Sequence, residues 1–218
     1  MILPHLSVLN SKRIVLASGS PRRKELLDKL GLKFEIVPSI FEENLDKDDY
    51  PNCYDYVRQT SIHKAKEVFA RLLKQRSPDA MPHIIIAADT IVEHNSTIFE
   101  KPSSKENARS TLMDLSGNTH AVWTAMTILV VSEDGKSVQV EKHVLEKTLV
   151  TFGILNEELV HEYVESGEPM DKAGGYGYQG LGFQLVESIN GCNFNVIGLP
   201  VHSFCKTMVA LIEELNWR

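Results

Sequence analysis

The sequence contains few cysteines, and they are not placed to form a metal site or a disulfide framework. Three occur, at Cys53, Cys192 and Cys205. An odd number without metal-ligand spacing is typical of free thiols in a reducing compartment. Long apolar runs are also missing, since the longest, Ala125 to Val131, is interrupted by Thr127 and is far too short to span a membrane. The N-terminus lacks the apolar segment of a secretory signal, and we expect a cytoplasmic protein that does not bind a membrane.

Positive charge is not in excess. Lysine and arginine total 23 against 29 aspartate and glutamate residues, which gives a formal net charge of −6 at pH 7. Proteins that follow a polynucleotide backbone usually carry a basic surface, so we expect no nucleic-acid partner. A small anion can still bind in a local basic pocket. Apolar residues make up 43% and charged residues 24% of the chain, as in ordinary globular proteins.

Several familiar catalytic motifs are absent. The chain has no Gly-x-Ser-x-Gly elbow, and its eight histidines show no paired metal spacing. It also lacks the P-loop pattern and the Rossmann fingerprint. We therefore expect neither nucleophilic catalysis through a covalent intermediate nor a closed zinc site.

Short apolar runs alternate with helical patterns along the chain. Ser20 is placed to cap a helix that begins at Pro21, Ser103 and Glu106 read as a capping box, and Asp134-Gly135 marks a hairpin. This order predicts an α/β fold with a mixed sheet, as one domain with two lobes. Predicted strands cover about 13–17, 33–37, 83–88, 119–131, 138–151 and 185–189, and predicted helices about 21–30, 54–74, 157–166, 200–216 and a segment ending near 115.

The segment Ser18-Gly19-Ser20-Pro21-Arg22-Arg23 lies between a predicted strand and a predicted helix. Its small residues allow a ligand to approach the backbone closely. A helix N-terminus attracts phosphate, and two arginines add bidentate donors. A solvated helix start with ordinary surface arginines is the alternative, and this stretch alone leaves both interpretations open.

Asp89-Thr90 follows the apolar run that ends at Ala88. A carboxylate at the end of a strand faces the edge where α/β proteins bind ligands, and it could hold a divalent cation or activate water. It could equally cap the next turn. Glu42-Glu43 could likewise help to hold a cation or form a solvated acidic face.

Two further motifs are weak on their own. Lys101 of Glu100-Lys101-Pro102 could neutralise phosphate as a point charge, although a surface turn is the simpler interpretation. Asp171-Lys172 precedes the glycine-rich stretch Gly174–Gly182, whose backbone can approach a ligand closely. Within it, Gln179 could read a base edge through its paired donor and acceptor.

Taken together, these motifs resemble the Maf family. LASGSPRRKELL at 16–27 looks like the family's opening signature, and ADTIV at 88–92 looks like its central motif. The segments 100–102, 115–117, 171–174, 190–191 and 196–200 occur in the family's order and at its spacing. The resemblance covers about 13–210 and predicts a single Maf-like domain in 1–218.

The resemblance implies a fold like that of inosine-triphosphate pyrophosphatases, with a mixed sheet and two lobes around a central cleft. It also implies hydrolysis of nucleoside triphosphates to monophosphate and pyrophosphate, as house-cleaning of non-standard nucleotides, and a homodimer. Asp89 matches the family's proton acceptor. The other matched nucleotide-pocket positions are Ser18, Arg22, Arg23, Glu42, Lys64, Thr90, Lys101, Asp171, Lys172 and Gln179.

The charge of the implied substrate points to a divalent cation. Attack on a triphosphate requires its negative charge to be offset. Carboxylate oxygens suit Mg²⁺ or Mn²⁺, and we expect Asp89 and Glu42 to be the metal ligands.

Arg22, Thr90 and Gln179 match the family's specificity positions, and two of them indicate which base is chosen. One subfamily prefers dTTP and UTP and carries arginine and glutamine where this chain has Arg22 and Gln179, whereas the 7-methyl-GTP subfamily has tryptophan and glutamate there. Tyr178 is a departure, because relatives often carry isoleucine. The chain also resembles the Maf domain that vertebrates fuse to a methyltransferase-like domain, but it matches no part of that second domain, so we expect no methyl transfer.

A protein of another class remains as the alternative. A nucleotide sensor, or a nucleic-acid-binding regulator of cell division, would bind without turnover. Asp89 and Glu42 discriminate between the two, since carboxylates near a polyanion weaken simple binding but serve a metal-using hydrolase.

Overall fold

The computed structural model describes residues 1–217. Strands and helices alternate along this part of the chain. The strands are β1 (Ile14–Leu16), β2 (Glu35–Ile36), β3 (Ile84–His94), β4 (Thr97–Phe99), β5 (Thr119–Val131), β6 (Val138–Phe152) and β7 (Val186–Asn190). The α-helices are α1 (Leu6–Asn10), α2 (Pro21–Lys29), α3 (Cys53–Gln75), α4 (Lys105–Leu115), α5 (Glu157–Glu165), α6 (Asn193–Ile197) and α7 (Val201–Glu214).

The strands form one mixed sheet, which confirms the predicted fold class. Its order is β2-β1-β3-β5-β6-β7, and β4 pairs with β3. Strand β1 runs parallel to both β2 and β3, whereas β4 is antiparallel to β3 and β7 is antiparallel to β6. Among the described residues, no helix has both the length and the apolar character needed to cross a membrane.

The chain divides into two compact units. Unit 1 comprises Met1–Asp89, Ala125–Leu145 and the chain from Gly198 onward, and unit 2 comprises Thr90–Thr124 and Glu146–Ile197. Strands β3, β5 and β6 contribute residues to both units.

The core of unit 1 forms between its parallel strands and α3. Ile84, Ile85 and Ile86 of β3 are fully buried, as expected for a strand that is covered on both faces. The buried residues of α3 recur at helical spacing, which marks the apolar side of an amphipathic helix. They are Tyr56, Val57, Thr60, Ser61, Ile62, Ala65, Val68 and Leu72.

The core of unit 2 contains an aromatic cluster. The rings of His120, Phe152 and Tyr176 meet edge to face, with centroids 4.7 to 5.4 Å apart, a favourable geometry for aromatic pairs. His120 is 1% exposed, and its Nε2 lies 2.8 Å from the Tyr176 hydroxyl oxygen. This hydrogen bond satisfies one ring nitrogen of a histidine that lies in apolar surroundings.

The structure corrects two details of the predicted elements. The helix after Pro102 is capped by Ser104, whose hydroxyl accepts from the Asn107 backbone N–H, and not by Ser103. Strand β3 does not end at Ala88 but continues to His94, because its second half pairs with β4. Asp89 therefore lies within a strand. It follows the segment of β3 that pairs with β1, which ends at Ile86.

Acid should destabilise the fold through His120. Burial, and then the positive charge of His94, lower the pKa of His120 from 6.5 to about 4. A histidine with a lowered folded-state pKa contributes stability that is present above pH 6.5 and is lost as the pH falls toward 4. Between pH 7 and pH 4.5 the wild type should lose about 2 to 3 kcal/mol of unfolding free energy through this group, measurable by urea unfolding.

The matched comparison is His120→Gln, which cannot titrate but keeps a polar group that can donate to or accept from the Tyr176 hydroxyl. Between pH 7 and pH 4.5 this variant should lose about 2 to 3 kcal/mol less unfolding free energy than the wild type. His161→Gln, at an exposed position, should behave like the wild type. Equal pH dependence in His120→Gln and the wild type would contradict the assignment.

Candidate active site

The first part of the candidate site is the turn between β1 and α2. Ser20 caps α2 by accepting a hydrogen bond from the Arg23 backbone N–H at 3.4 Å, and Pro21 occupies the first helical position. Ser18 is buried, and its hydroxyl oxygen accepts from the Ser20 N–H at 3.3 Å. These local contacts confirm the predicted helix start, and the positive end of a helix dipole is a favourable place for a phosphate group.

The Arg23 side chain folds back over this turn. Its Nη1 donates to the Ser18 hydroxyl at 3.1 Å, and its Nε donates to the Gly198 carbonyl at 2.9 Å. Burial lowers the pKa of Arg23, while the charges of Asp89 and Glu43 act in the opposite direction. An arginine remains protonated at neutral pH, so a cation is fixed beside the predicted phosphate site. Arg22, the other predicted arginine, is half-exposed in the same helical turn.

The second part is a buried ion pair. The Lys64 Nζ donates to Asp89 Oδ1 at 2.8 Å, and the two side chains are only 12% and 9% exposed. The same ammonium lies 2.9 Å from Glu43 Oε1. Burial raises the pKa of Asp89, and Glu43 raises it further, whereas Lys64 and Arg23 lower it. The Asp89 carboxylate is therefore a stronger base than an exposed aspartate, and cations surround it.

The loop that carries Glu43 is held along α3. The Glu67 carboxylate accepts from the Ile40 backbone N–H at 3.1 Å. One turn earlier on the helix, the His63 ring stacks on Phe41 with centroids 5.0 Å apart. These contacts hold the start of the acidic loop against α3, where Glu43 reaches the Lys64 ammonium.

The structure gives the two acidic neighbours different positions. Glu42, the predicted second metal ligand, is exposed and accepts a 3.4 Å hydrogen bond from the Asn44 side chain. The carboxylate that reaches Lys64 belongs to Glu43. The sequence pattern identifies the acidic pair but does not show which member faces Lys64, because that depends on the path of an irregular loop.

In unit 2 the structure brings two of the predicted motifs together. The Gly174 N–H donates to the Glu100 carbonyl at 3.1 Å, so the segment that carries Lys101 adjoins the glycine-rich stretch. The Lys172 ammonium donates to Asp171 Oδ1 at 2.6 Å. Lys101 and Gln179 are exposed. Unit 2 therefore presents two lysines, a carboxylate and a carboxamide around one pair of connected loops.

Thr90 belongs to a separate polar network in unit 2. Its hydroxyl lies 2.9 Å from the Thr124 hydroxyl, which donates to the Asn195 carbonyl at 3.1 Å. Asn195 is fully buried, and its amide donates to the Val122 carbonyl and the Thr148 hydroxyl. No sequence motif indicates Asn195, although this residue orients the groups that hold Thr90.

The residues present are compatible with a divalent cation that is bound jointly with a substrate. Within residues 1–217, no group of three or more histidine, cysteine or acidic side chains converges as a metal ion would require. Mg²⁺ commonly uses one or two carboxylates and completes its coordination with substrate phosphates and water. Asp89 and Glu43 supply such oxygens, since both already converge on one ammonium.

Comparison with known proteins places the chain in a family. A family model described as "Maf-like protein" matches residues 13–211, and the chain belongs to that family. It is 47% identical over 216 residues to the human "Probable bifunctional dTTP/UTP pyrophosphatase/methyltransferase protein", an alignment that covers 97% of this chain and 34% of that protein. The chain thus spans about a third of the length of this relative.

Other relatives are similar to the chain along most of their length. A "dTTP/UTP pyrophosphatase" of Clostridium perfringens (strain SM101 / Type A) is 43% identical over 196 residues, which cover 90% of this chain and 95% of that protein. Among solved structures, the Staphylococcus aureus Ham1 protein aligns with 93% of this chain and 99% of its own, at 13% identity and a TM-score of 0.46. That similarity is too low to bear on function.

The Lys64–Asp89 pair predicts a large mutational effect on stability. Lys64→Met removes the cation and leaves Asp89 buried beside another carboxylate. Breaking a buried pair in this way typically costs about 3 to 5 kcal/mol. The double variant Lys64→Met/Asp89→Asn should recover part of that loss, because no unpaired buried charge remains. Urea unfolding at pH 7 of the wild type, both single variants and the double variant measures this coupling.

Lys66→Met is the matched control. Lys66 lies on the same helix, but its side chain is 54% exposed and 3.3 Å from Glu141, so its removal should change stability little. If the losses of unfolding free energy in Lys64→Met and Asp89→Asn add up to the loss in the double variant, the interaction between the two side chains does not stabilise the fold.

Proposed function

We propose that this protein is a nucleoside triphosphate pyrophosphatase that hydrolyses dTTP, UTP and related pyrimidine nucleotides to the monophosphate and pyrophosphate. The family membership and the names of the two relatives support the reaction class. Further support comes from the cluster of Asp89, Lys64, Glu43 and Arg23 in unit 1. A cytoplasmic role in removing non-standard nucleotides, and a homodimer, are parts of the same proposal.

One observation supports hydrolysis more than any other. Asp89 is a buried carboxylate whose pKa is raised by burial and which nonetheless contacts a lysine. A general base works best when its pKa lies near the operating pH, and burial raises the pKa of an aspartate in that direction. The adjacent cations, Lys64 and Arg23, can hold phosphate oxygens near this base.

In the proposed reaction, Asp89 accepts a proton from a water molecule as the water oxygen attacks the α-phosphorus. The α–β phosphoanhydride bond breaks, and the electron pair leaves with pyrophosphate. Arg22, Arg23 and Lys64 offset the negative charge that develops on the phosphate oxygens. Ser18 and the first turn of α2 orient a phosphate group. In unit 2, Lys101, Asp171, Lys172 and Thr90 are assigned to nucleotide binding.

A divalent cation is part of this proposal. Asp89 together with Glu43 or Glu42 would hold Mg²⁺ or Mn²⁺ along with the substrate phosphates. When bound, the ion would act as a compact Lewis acid on the phosphate oxygens, which neither lysine nor arginine can do.

The proposal predicts a defined product pair and a strong effect of one carboxamide substitution. Purified protein with UTP or dTTP and Mg²⁺ should yield monophosphate and pyrophosphate, measured by ion-exchange chromatography.

Asp89→Asn should lower kcat by about 10²- to 10⁴-fold, because assistance by a general base is typically worth that much. Excess chelator should abolish turnover, and added Mg²⁺ or Mn²⁺ should restore it.

Asp28→Asn is the control for this substitution. Asp28 pairs with Lys24 on the exposed side of α2, and its loss should leave kcat unchanged. Release of inorganic phosphate and a nucleoside diphosphate would disprove the proposed cleavage point. Full activity in excess chelator would disprove the metal requirement. Near-normal activity of a folded Asp89→Asn protein would disprove the role of Asp89 as the general base.

Base choice gives a separate prediction. Uracil and thymine present carbonyl acceptors and an N3–H donor, which a carboxamide at Gln179 can pair with. The cationic 7-methylguanine would favour an acidic partner instead. Wild-type kcat/KM should therefore be highest for dTTP and UTP and low for 7-methyl-GTP. In Gln179→Glu the ratio for UTP over 7-methyl-GTP should fall by about tenfold or more, since a wrong partner leaves polar groups unpaired.

Gln184→Glu introduces the same change nearby. Gln184 is exposed and donates to the Leu181 carbonyl at 3.2 Å. Its substitution should leave the ranking of bases intact. A wild type that prefers 7-methyl-GTP, or a Gln179→Glu variant with an unchanged ranking, would exclude Gln179 as the residue that reads the base.

A further inference from the structure

The glycine-rich stretch in unit 2 is organised around one carboxylate. Glu168 Oε2 accepts the Leu181 backbone N–H at 2.7 Å, and Oε1 accepts the Gly182 N–H at 3.1 Å. Oε1 also accepts the Tyr163 hydroxyl at 3.1 Å. Hydrogen bonds to an ionised acceptor are about twice as strong as neutral ones, so Glu168 holds the end of the stretch firmly.

Tyr163 extends the same network to the start of the stretch. Its hydroxyl oxygen accepts the Gly177 N–H at 3.1 Å. The residue is 4% exposed, and burial raises the pKa of Tyr163, so the hydroxyl keeps the proton that it donates to Glu168. The backbone is therefore fixed at Gly177 on one side and at Leu181 on the other.

Steric constraints at the glycines match this network. A Cβ on Gly182 would lie 2.6 Å from the Tyr163 hydroxyl oxygen, and a Cβ on Gly180 would lie 2.5 Å from the Glu168 carboxyl carbon. Both distances are shorter than any real contact of a Cβ atom. Glycine at these positions thus allows the backbone to pass directly over the two side chains that hold it.

The network also includes Lys172. Its ammonium donates to the Glu168 backbone carbonyl at 2.5 Å. That contact uses the backbone of residue 168. The Lys172 side chain also lies against Gly177, where a Cβ would come within 2.6 Å of Lys172 Cδ, so the backbone that Tyr163 holds borders a lysine assigned to nucleotide binding.

We propose that Glu168, acting through Tyr163 and the backbone of 177–182, is a positioning residue that holds Gln179 and Lys172 in their nucleotide-binding arrangement. The inference rests on the proposed function, because it assigns those two side chains to the nucleotide. Only 178–180 separate the two fixed points of the backbone. The loop is ordered before the ligand arrives, which reduces the ordering cost of binding. Loss of Glu168 should weaken nucleotide binding more than it slows the chemical step, since Asp89 lies in unit 1.

The test compares Glu168→Gln with the wild type in steady-state kinetics. A carboxamide turns one of its two positions into a donor, which cannot accept a backbone N–H. KM for UTP should rise about tenfold, while kcat changes by less than about threefold. Gly180→Ala places a Cβ against the Glu168 carboxylate without removing any polar group, and it should also raise KM. Tyr163→Phe should raise KM by less.

Glu165→Gln is the matched control. Glu165 ends the same helix as Tyr163, but it is exposed and pairs with Lys105 and Arg109, so KM should not change. A lower kcat with an unchanged KM in both Glu168→Gln and Gly180→Ala would show that Glu168 only supports the fold and would overturn the proposal.

Hydrogen exchange separates this proposal from the proposed function. The backbone amides of Gly177, Leu181 and Gly182 should exchange about tenfold faster in Glu168→Gln than in the wild type, and the rest of unit 2 should be unaffected. If the wild type hydrolyses neither UTP nor dTTP, the proposed function fails, and faster exchange in the variant would still support the positioning of the loop. Unchanged exchange at these amides overturns the proposal whatever the activity.

Discussion

The ion pair between Lys64 and Asp89 determines how the polar part of unit 1 is arranged. A carboxylate that is nearly excluded from water is costly unless cations and hydrogen bonds compensate it. Helix α3 meets this requirement by placing a lysine on its core-facing side, one turn after Thr60 and one turn before Val68. Arg23 adds a second cation from the start of α2. The same compensation that allows Asp89 to be buried therefore also places two cations beside the proposed phosphate site.

The parts of this site that were predictable from sequence are those specified by local chemistry. Ser20, Pro21 and the two arginines encode a capped helix start within a few residues, and that start forms as expected. The position of Asp89 was predicted less well. An apolar run indicates that a segment is buried, but it does not indicate which strands pair. It therefore does not predict that β3 continues beyond Asp89 and pairs there with β4. Only the family resemblance indicated Lys64, because a lysine in an amphipathic helix ordinarily lies on the solvated side.

Choices between adjacent residues of the same type were beyond the sequence pattern. Ser104 and not Ser103 caps α4, and Glu43 and not Glu42 contacts Lys64. In each case both neighbours have the required chemistry, and the backbone path decides which side chain faces the partner. The role of Glu168 was also hidden, since its partners are backbone amides of residues 181 and 182. Contacts of this kind leave no pattern of side-chain types.

The carboxylates also bear on whether the protein turns over its ligand or only binds it. A nucleotide sensor would gain affinity from Arg23 and Lys64 and would lose it through Asp89 and Glu43, because like charges repel. Glu168 shows a different use of a carboxylate in this chain, because its oxygens are occupied by backbone and tyrosine donors. The oxygens of Asp89 and Glu43 instead converge on a lysine side chain. A carboxylate that opposes ground-state binding still favours turnover when it stabilises the transition state by more than it destabilises the bound substrate. The proposed general base and cation ligands would act in this way.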